Sequence, residues 1–178
     1  LGVLSQVYFF NIAGYVARGG AVMFAAGPGY SSEDSLFQTP LSSILAAEPT
    51  GTVVEEPFYA RVSEIGKRHP VTRGLPGADQ EPPAWSRWFR LVDVTPSEFE
   101  GSTNTIMTGA GERPLLMLSR YGEGRLALML SDQAWLWARG FEGGGPHVQL
   151  LRRLAHWLMK EPDLEEERLT AIAENGRL

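Results

Sequence analysis

The feature that most constrains this chain is a strand–loop–helix pattern over residues 126–160. A short apolar run at 126–130 passes directly into Ser131-Asp132-Gln133, and a loop rich in tryptophan, arginine and glycine follows. Residues just beyond the carboxyl end of a strand lie at the edge of the sheet where α/β proteins bind ligands. The pattern therefore predicts a candidate site made of Asp132, Trp135, Trp137, Arg139, Glu142 and His147.

The other apolar segments predict an α/β fold. An apolar helix at 4–18, ended by Gly19-Gly20, precedes a continuous apolar run at 21–26 that is typical of a strand buried on both faces. Strands are expected at 105–109, 115–120 and 125–130, and the turn 121–124 predicts that the last two form an antiparallel hairpin. We expect a mostly parallel sheet flanked by helices, with an antiparallel portion.

Shorter elements complete this prediction. Thr39-Pro40 is typical of a helix start, so a short helix is expected at 40–46. Strands are expected at 52–56 and 88–94, and a helix at 147–160 that Pro162 ends. The 178 residues predict one domain spanning 1–178, with an acidic helix at about 163–174 in the closing segment 163–178. Because the chain opens inside a helix without methionine, we expect it to be a piece of a longer protein.

Composition excludes several classes of function. The 16 basic and 21 acidic residues give a net charge of −5, which argues against a nucleic-acid partner because phosphate binding needs a concentrated positive surface. There are no cysteines, and three dispersed histidines lack metal-ligand spacing, so neither a metal nor a cofactor is expected. No apolar run approaches the about 18 residues of a membrane span, so no direct membrane contact is expected within this segment.

Four blocks of the sequence carry a family resemblance. The step YVARGGAVMF at 15–24 resembles the helix-to-strand step of the class I glutamine amidotransferase-like superfamily. SLFQTPL at 35–41, RHPVT at 68–72 and SDQAWLWARG at 131–140 resemble a narrower group of large, membrane-anchored bacterial proteins named as glutamine amidotransferases, without a known function. The similarity runs along nearly the whole chain. It implies an amidotransferase-like fold and a membrane-tethered context that faces the periplasm.

The resemblance implies descent without the family's chemistry. Class I amidotransferases carry a cysteine nucleophile at a sharp strand-to-helix turn, and here that position falls on Ala26. Their His-x-Glu step corresponds to the loop between Asp132 and His147, where the order and spacing differ. We therefore expect a non-catalytic domain that binds a small ligand or an envelope protein as an assembly module. The superfamily's first strands would precede this chain, which leaves a sheet edge through which a homo-oligomer can form.

Two alternatives stay open. In a hydrolase without a protein nucleophile, Asp132 or Glu142 would activate water, His147 would act as acid, and Arg139 would hold an anionic substrate. In a glycan-binding module, Trp135 or Trp137 would form a stacking platform.

The candidate residues also have structural interpretations. Asp132 can cap a turn or pair with Arg139, and His147 can cap the glycine loop. The glycines of the turn at 27–30, Gly27 and Gly29, can offer backbone N–H groups to an anion, although a phosphate-loop lysine is absent. His156 is assigned a structural role inside a helix, and His69 a surface role in a loop. A second aromatic–cation cluster, Trp85, Arg87, Trp88 and Arg90, is interpreted as arginine stacked on tryptophan.

Overall fold

The computed structural model describes residues 4–161, and this part of the chain contains three α-helices and seven β-strands. In chain order they are α1 (Gln6–Ala17), β1 (Ala21–Ala25), β2 (Ala47–Val54), β3 (Arg61–Val62), β4 (Leu91–Pro96), β5 (Gly101–Thr108), β6 (Pro114–Tyr121), β7 (Gly124–Met129), α2 (Trp135–Ala138) and α3 (His147–Leu158). The acidic helix expected at 163–174 lies outside the described residues.

The sheet is mixed and mostly antiparallel, so the prediction of a mostly parallel sheet flanked by helices is wrong. The described strands form one sheet in the order β1-β7-β6-β5-β3, and a second, smaller sheet pairs β2 with β4. Within residues 4–161 only β1 and β7 run parallel. The physical reason is that short turns join β5, β6 and β7 and reverse the chain, whereas parallel neighbours need a crossover of about a dozen residues or more.

Strand β1 differs from the fully buried strand that its apolar sequence predicted. It pairs with β7 on one side, in a register that runs from Ala21 opposite Arg125 to Ala25 opposite Met129. Met23 is 37% exposed, whereas every residue of β7 is buried. An edge strand has a neighbour on one side only. A continuous apolar run therefore did not indicate burial on both faces.

The predicted hairpin between β6 and β7 is confirmed. Tyr121 pairs with Gly124 across a tight turn, and Gly122 has φ 55°, a left-handed conformation that glycine adopts without steric cost. Gly124 lies against the end of α1, because a Cβ built on it would overlap the backbone oxygen of Val16. The absence of a side chain at this position lets the helix approach the first residue of the strand.

The short helix expected at 40–46 is present as a 3-10 helix, Pro40–Ile44. Thr39 caps it as predicted, because its Oγ1 accepts a hydrogen bond from the N–H of Leu41 at 3.2 Å. The helix buries Leu41 and Ile44 in the core. It also packs against α1, so these two elements cover the same part of the molecule.

The C-terminal helix of the described region is confirmed as α3. It buries Leu150, Leu154 and Trp157. Arg125, at the start of β7, is only 4% exposed and donates a hydrogen bond from Nη1 to the backbone oxygen of Trp157 at 2.5 Å. Its guanidinium carbon also lies 4.9 Å from the centre of the Trp157 ring. A buried cation that is both hydrogen-bonded and stacked fixes the end of α3 to the sheet.

His69 is buried rather than on the surface, so its predicted surface role is wrong. The side chain is 4% exposed, and Nδ1 accepts a hydrogen bond from the N–H of Val71 at 3.2 Å. The ring meets that of Trp157 edge-on at 6.0 Å. The neighbours Lys67 and Arg68 are exposed and suggested a surface segment, but the chain turns His69 inward between them and Pro70.

Two glycine-to-alanine substitutions test this packing. We expect Gly124→Ala to lower the free energy of unfolding by about 2 kcal/mol or more, because a fixed backbone oxygen occupies the space of the new methyl group. Gly29→Ala is the matched control, since a Cβ there meets nothing within 4 Å. Its effect should stay below about 1 kcal/mol. Urea unfolding followed by circular dichroism measures both, and equal effects would contradict the packing of α1 on β7.

Candidate functional site

Asp132 lies at the carboxyl end of β7, where the sequence placed the candidate site. Ser131 is fully buried, and its hydroxyl donates to the backbone oxygen of Arg90 at 2.7 Å. The side chain of Asp132 is 40% exposed, and its Oδ2 lies 3.3 Å from Nη1 of Arg90. Glu55 approaches the same guanidinium, with Oε1 3.5 Å from Nε of Arg90. Of the partners that the sequence offered to Asp132, a turn cap or Arg139, neither is found among the described residues; Arg90 from a distant segment pairs with it instead.

The turn after β1 lies directly beside this carboxylate. Ala26 is buried, and its N–H donates to the backbone oxygen of Met129 at 2.7 Å, which extends the parallel pairing with β7. A Cβ built on Gly27 would lie 3.1 Å from Oδ2 of Asp132. The two strand ends thus bring the turn and Asp132 together, as the pairing of parallel strands requires.

The turn itself is fixed by Tyr30. Its hydroxyl donates to the backbone oxygen of Ala47 at 2.7 Å, and burial raises the pKa of this phenol. The N–H of Tyr30 donates to the oxygen of Gly27 at 2.9 Å, so the segment winds into a short 3-10 helix that also contains Gly29. Tyr30 is therefore a structural anchor of the turn.

About 310 Å³ of open space adjoins this turn. An open cavity of about 420 Å³ lies elsewhere, beside β3.

The two tryptophans of the loop have opposite environments. Trp135 is 53% exposed, and the guanidinium carbon of Arg139 lies 5.8 Å from the centre of its ring. Trp137 is 3% exposed, and its Nε1 donates to the backbone oxygen of Ser86 at 3.1 Å. Trp137 also packs against the ring of Trp88 at 4.8 Å between centroids. Of these two tryptophans, only Trp135 is exposed enough to contact a ligand.

Glu142 forms an ion pair with Arg87. The Nε of Arg87 donates to Oε2 of Glu142 at 3.0 Å, and Nη2 of Arg87 makes a short bond to the other carboxylate oxygen. This bidentate pair lowers the pKa of Glu142 through its hydrogen bond to Arg87 and raises the pKa of Arg87. Beside it, the rings of Phe89 and Phe141 meet edge-on at 5.9 Å.

His147 is the first residue of α3 and is half-buried. Its backbone N–H donates to the oxygen of Gly145 at 2.8 Å, so the backbone of His147, rather than its side chain, bonds the glycine loop. In the described part of the chain no hydrogen bond or ion pair joins its imidazole to the acids of the site. Among residues 4–161, hydrogen bonds therefore do not join His147 to Asp132 or Glu142, the groups that the hydrolase alternative combines.

Sequence reasoning missed the role of the segment 86–90. Its backbone is bonded to the loop after β7 at several points, including the N–H of Phe89 to Oε1 of Gln133 at 2.6 Å and the N–H of Ser86 to the oxygen of Gly144 at 2.7 Å. The alternation of aromatic and cationic residues at 85–90 was the available signal. The prediction of arginine stacked on tryptophan is not met by Arg87, whose guanidinium carbon lies 5.9 Å from the ring centre of Phe89 instead.

We name the resulting surface the aromatic rim and define it by Arg87, Phe89, Trp135, Arg139, Phe141 and Glu142. Across residues 4–161, no group of three or more histidine, cysteine or acidic side chains could hold a metal ion. The helices in that same part of the chain are too short or too polar to cross a membrane. The site thus consists of an ion-paired carboxylate beside a tight turn, bordered by exposed aromatic and arginine side chains.

The pairing of Glu142 with Arg87 can be tested by titration. We expect the pKa of Glu142 to lie below the ordinary glutamate value and to rise in Arg87→Gln. The stabilising effect of the pair is present above the ordinary glutamate pKa and is lost as the pH falls through the lowered pKa. Carboxyl ¹³C NMR across pH 2 to 7 measures this. Arg61→Gln is the control: it should raise the pKa of Glu81, its own partner, and leave that of Glu142 unchanged.

Comparison with known proteins gives a fold but no family. No protein-family model and no curated protein matches this chain. Among solved structures, Cytoplasmic Protein STM3548 from Salmonella typhimurium superposes with a TM-score of 0.67 at 18% identity, over 84% of this chain and 59% of its own. Cytoplasmic Protein STM1381 from Salmonella typhimurium LT2 gives 0.61 at 20% identity, over 85% and 60%.

These likenesses establish a shared fold and nothing further, because the identities are low. The chain spans about three fifths of the length of the two Salmonella proteins. The exo-β-1,4-mannosidase Op5Man5 from Opitutaceae bacterium strain TAV5 matches with a TM-score of only 0.47, at 13% identity over 86% of this chain and 23% of the enzyme. None of these three proteins is named as a glutamine amidotransferase.

Proposed function

We propose that this chain is a non-catalytic, amidotransferase-like domain that serves as a binding or assembly module of a bacterial envelope protein. One observation carries the proposal. The turn beside Asp132 holds the buried methyl group of Ala26, and the two candidate acids are paired with arginines, Asp132 with Arg90 and Glu142 with Arg87. A cleft-like position without a nucleophile or an available base is suited to binding rather than to chemistry.

The hydrolase alternative finds little support in this geometry. Of its two candidate bases, Glu142 is stabilised in the charged form by its hydrogen bond to Arg87, which lowers its pKa and makes it a weaker proton acceptor, and Asp132 is ion-paired with Arg90. The lowered pKa of Glu142 also keeps it from donating a proton near neutral pH. Among the described residues, no hydrogen bond joins the imidazole of His147, the proposed acid, to Asp132 or Glu142.

The composition of the aromatic rim supports a protein partner. Aromatic side chains and arginine are enriched at protein–protein interfaces, whereas small-molecule sites are enclosed and mostly apolar. Trp135 and Phe141 are exposed at 53% and 39%, and Arg139 and Arg87 lie beside aromatic rings. Such residues form the anchors that contribute most of the binding energy in known interfaces.

Glycan binding is a second candidate, and the exposed ring of Trp135 favours it. Sugars stack on exposed indoles, and a neighbouring arginine can donate hydrogen bonds to hydroxyl groups. Trp137 cannot contribute, because its ring is buried between other aromatic residues. One available platform makes this candidate weaker than a protein partner. The tether to a membrane and the periplasmic location of the domain are proposed on the family resemblance alone.

The absence of catalysis is tested with the purified protein. We expect no turnover of glutamine or of p-nitrophenyl acetate above the level of the Asp132→Ala variant. Ammonia release and nitrophenolate absorbance measure the two reactions. Turnover that Asp132→Ala abolishes, with the variant still folded by circular dichroism, would refute the non-catalytic assignment.

The assembly role is tested in the full-length protein. We expect the double variant Trp135→Ala/Phe141→Ala to shift the protein to a smaller complex on blue native gels of solubilised membranes. Val148→Ala is the control, because Val148 is 76% exposed on α3 outside the aromatic rim. An unchanged complex size in the double variant would argue against the rim as a binding face. Saturable quenching of tryptophan fluorescence by muropeptides, lost in Trp135→Phe, would instead favour glycan binding.

A further inference from the structure

The charged residues of this chain are unevenly distributed around α3. Two segments, 65–78 and 143–160, contain six of the 16 basic residues and none of the 21 acidic residues. The remainder of the chain is therefore strongly acidic, because the net charge is −5. Such a separation of charge creates a local positive potential on a protein that is negative overall. A surface of this kind attracts an anionic partner.

The two basic segments pack against each other. Nη1 of Arg153, on α3, donates to the backbone oxygen of Arg73 at 2.7 Å. One turn further along the helix, the ring of Trp157 meets the buried ring of His69 edge-on at 6.0 Å. The N–H of Arg73 donates to the oxygen of His69 at 2.8 Å, so the facing segment is itself wound into a turn. These contacts bring arginines from both segments onto one side of the molecule.

We name the resulting surface the arginine patch and define it by Arg68, Arg73, Arg152 and Arg153. The first three side chains are exposed and the last is half-buried. Among residues 4–161, no ion pair joins any of the four to a carboxylate. Glu64, just before the first segment, accepts a hydrogen bond from Lys67 at 2.5 Å; that bond is the main cause of its lowered pKa, and the charge of Arg68 contributes less. This acid is therefore already held by another cation.

The four guanidinium groups suit several separate anionic groups better than a single one. Arg152 and Arg153 are neighbours on a helix, where successive side chains diverge by about 100°. Arg68 and Arg73 lie five residues apart on the facing segment. A lone phosphate is held by cations that converge on one point, whereas a chain of anionic groups can meet cations that are spread over a surface. The patch thus fits a partner with several charges in a row.

A short acidic segment of a polypeptide fits this surface better than a nucleic acid or an anionic membrane. An extended polyanion would also face the remainder of the chain, which carries all 21 acidic residues and would be repelled. Exposed apolar side chains also adjoin the arginines. Ile65, 46% exposed, lies one turn before Arg68, and Met159, 62% exposed, lies two turns after Arg152 on the same side of α3. Apolar side chains of a polypeptide can pack on them, whereas phosphate groups cannot.

We propose that the arginine patch binds an acidic segment of a partner polypeptide. A carboxylate accepts two parallel hydrogen bonds from a guanidinium group, and arginine is enriched over lysine at protein interfaces. The patch shares no residue with the aromatic rim. It is therefore a second interaction surface, and it is independent of the function proposed for the rim.

A fluorescein-labelled decaglutamate peptide tests the patch by fluorescence anisotropy with the 178-residue chain. We expect saturable binding at about 50 mM NaCl that weakens at about 300 mM, because salt screens exposed charges. Arg68→Gln/Arg73→Gln should weaken the binding by about five- to tenfold, since it removes two of the four guanidinium groups. Arg152→Gln should also weaken it, and this variant leaves the bond between Arg153 and Arg73 in place.

Arg61→Gln/Arg113→Gln is the matched control. It removes the same charge as the patch variant, but from two arginines that are already paired with Glu81 and Asp93. Its affinity for the peptide should stay within about twofold of the wild-type value, because only the net charge of the chain changes at a distance from the patch. Circular dichroism and thermal unfolding of each variant establish that it is folded.

Four results would overturn the proposal. The first is a wild-type chain that does not bind the peptide at protein concentrations up to about 1 mM. The second is equal weakening in the control and in the patch variant, which would assign the binding to net charge alone. The third is tighter binding of phosphatidylglycerol vesicles or of short single-stranded DNA than of the peptide, lost in Arg68→Gln/Arg73→Gln, which would assign the patch to phosphate groups. The fourth is loss of peptide binding in Trp135→Ala/Phe141→Ala, which would place it at the aromatic rim.

Discussion

The candidate site depends on the hydrogen bonds that hold the segment 86–90 against the loop after β7. Ser131, Gln133, Trp137 and Gly144 each bond to the backbone of that segment, at distances from 2.6 to 3.1 Å. Buried polar groups of this kind are costly to leave unpaired, so the two segments are fixed together. This is what places Arg90 beside Asp132 and Arg87 beside Glu142. These backbone hydrogen bonds therefore determine the positions of the charged side chains more than the ion pairs do. The ion pairs are partly exposed and contribute little to stability.

Local patterns in the sequence predicted local structure well. The hairpin at Gly122, the cap at Thr39 and the helix that starts at His147 all rest on short-range signals, and all are present. The prediction of a mostly parallel sheet is wrong because strand direction depends on which strands become neighbours. An apolar run such as 21–26 carries no information on its partners. The position of Asp132 just beyond a strand was predicted for the same local reason, because the apolar run before it forms β7.

The sequence did not predict contacts between residues that are far apart along the chain. In the sequence, Arg139 lies seven residues after Asp132 and is the nearer candidate partner. In the structure, Arg139 lies against the ring of Trp135, and Arg90 reaches the carboxylate. His69 shows the same limit, since its charged neighbours suggested a surface position and its ring packs on Trp157. Nothing in the sequence around His69 predicts that α3 packs against its ring. Such contacts are decided by how the layers of the domain pack.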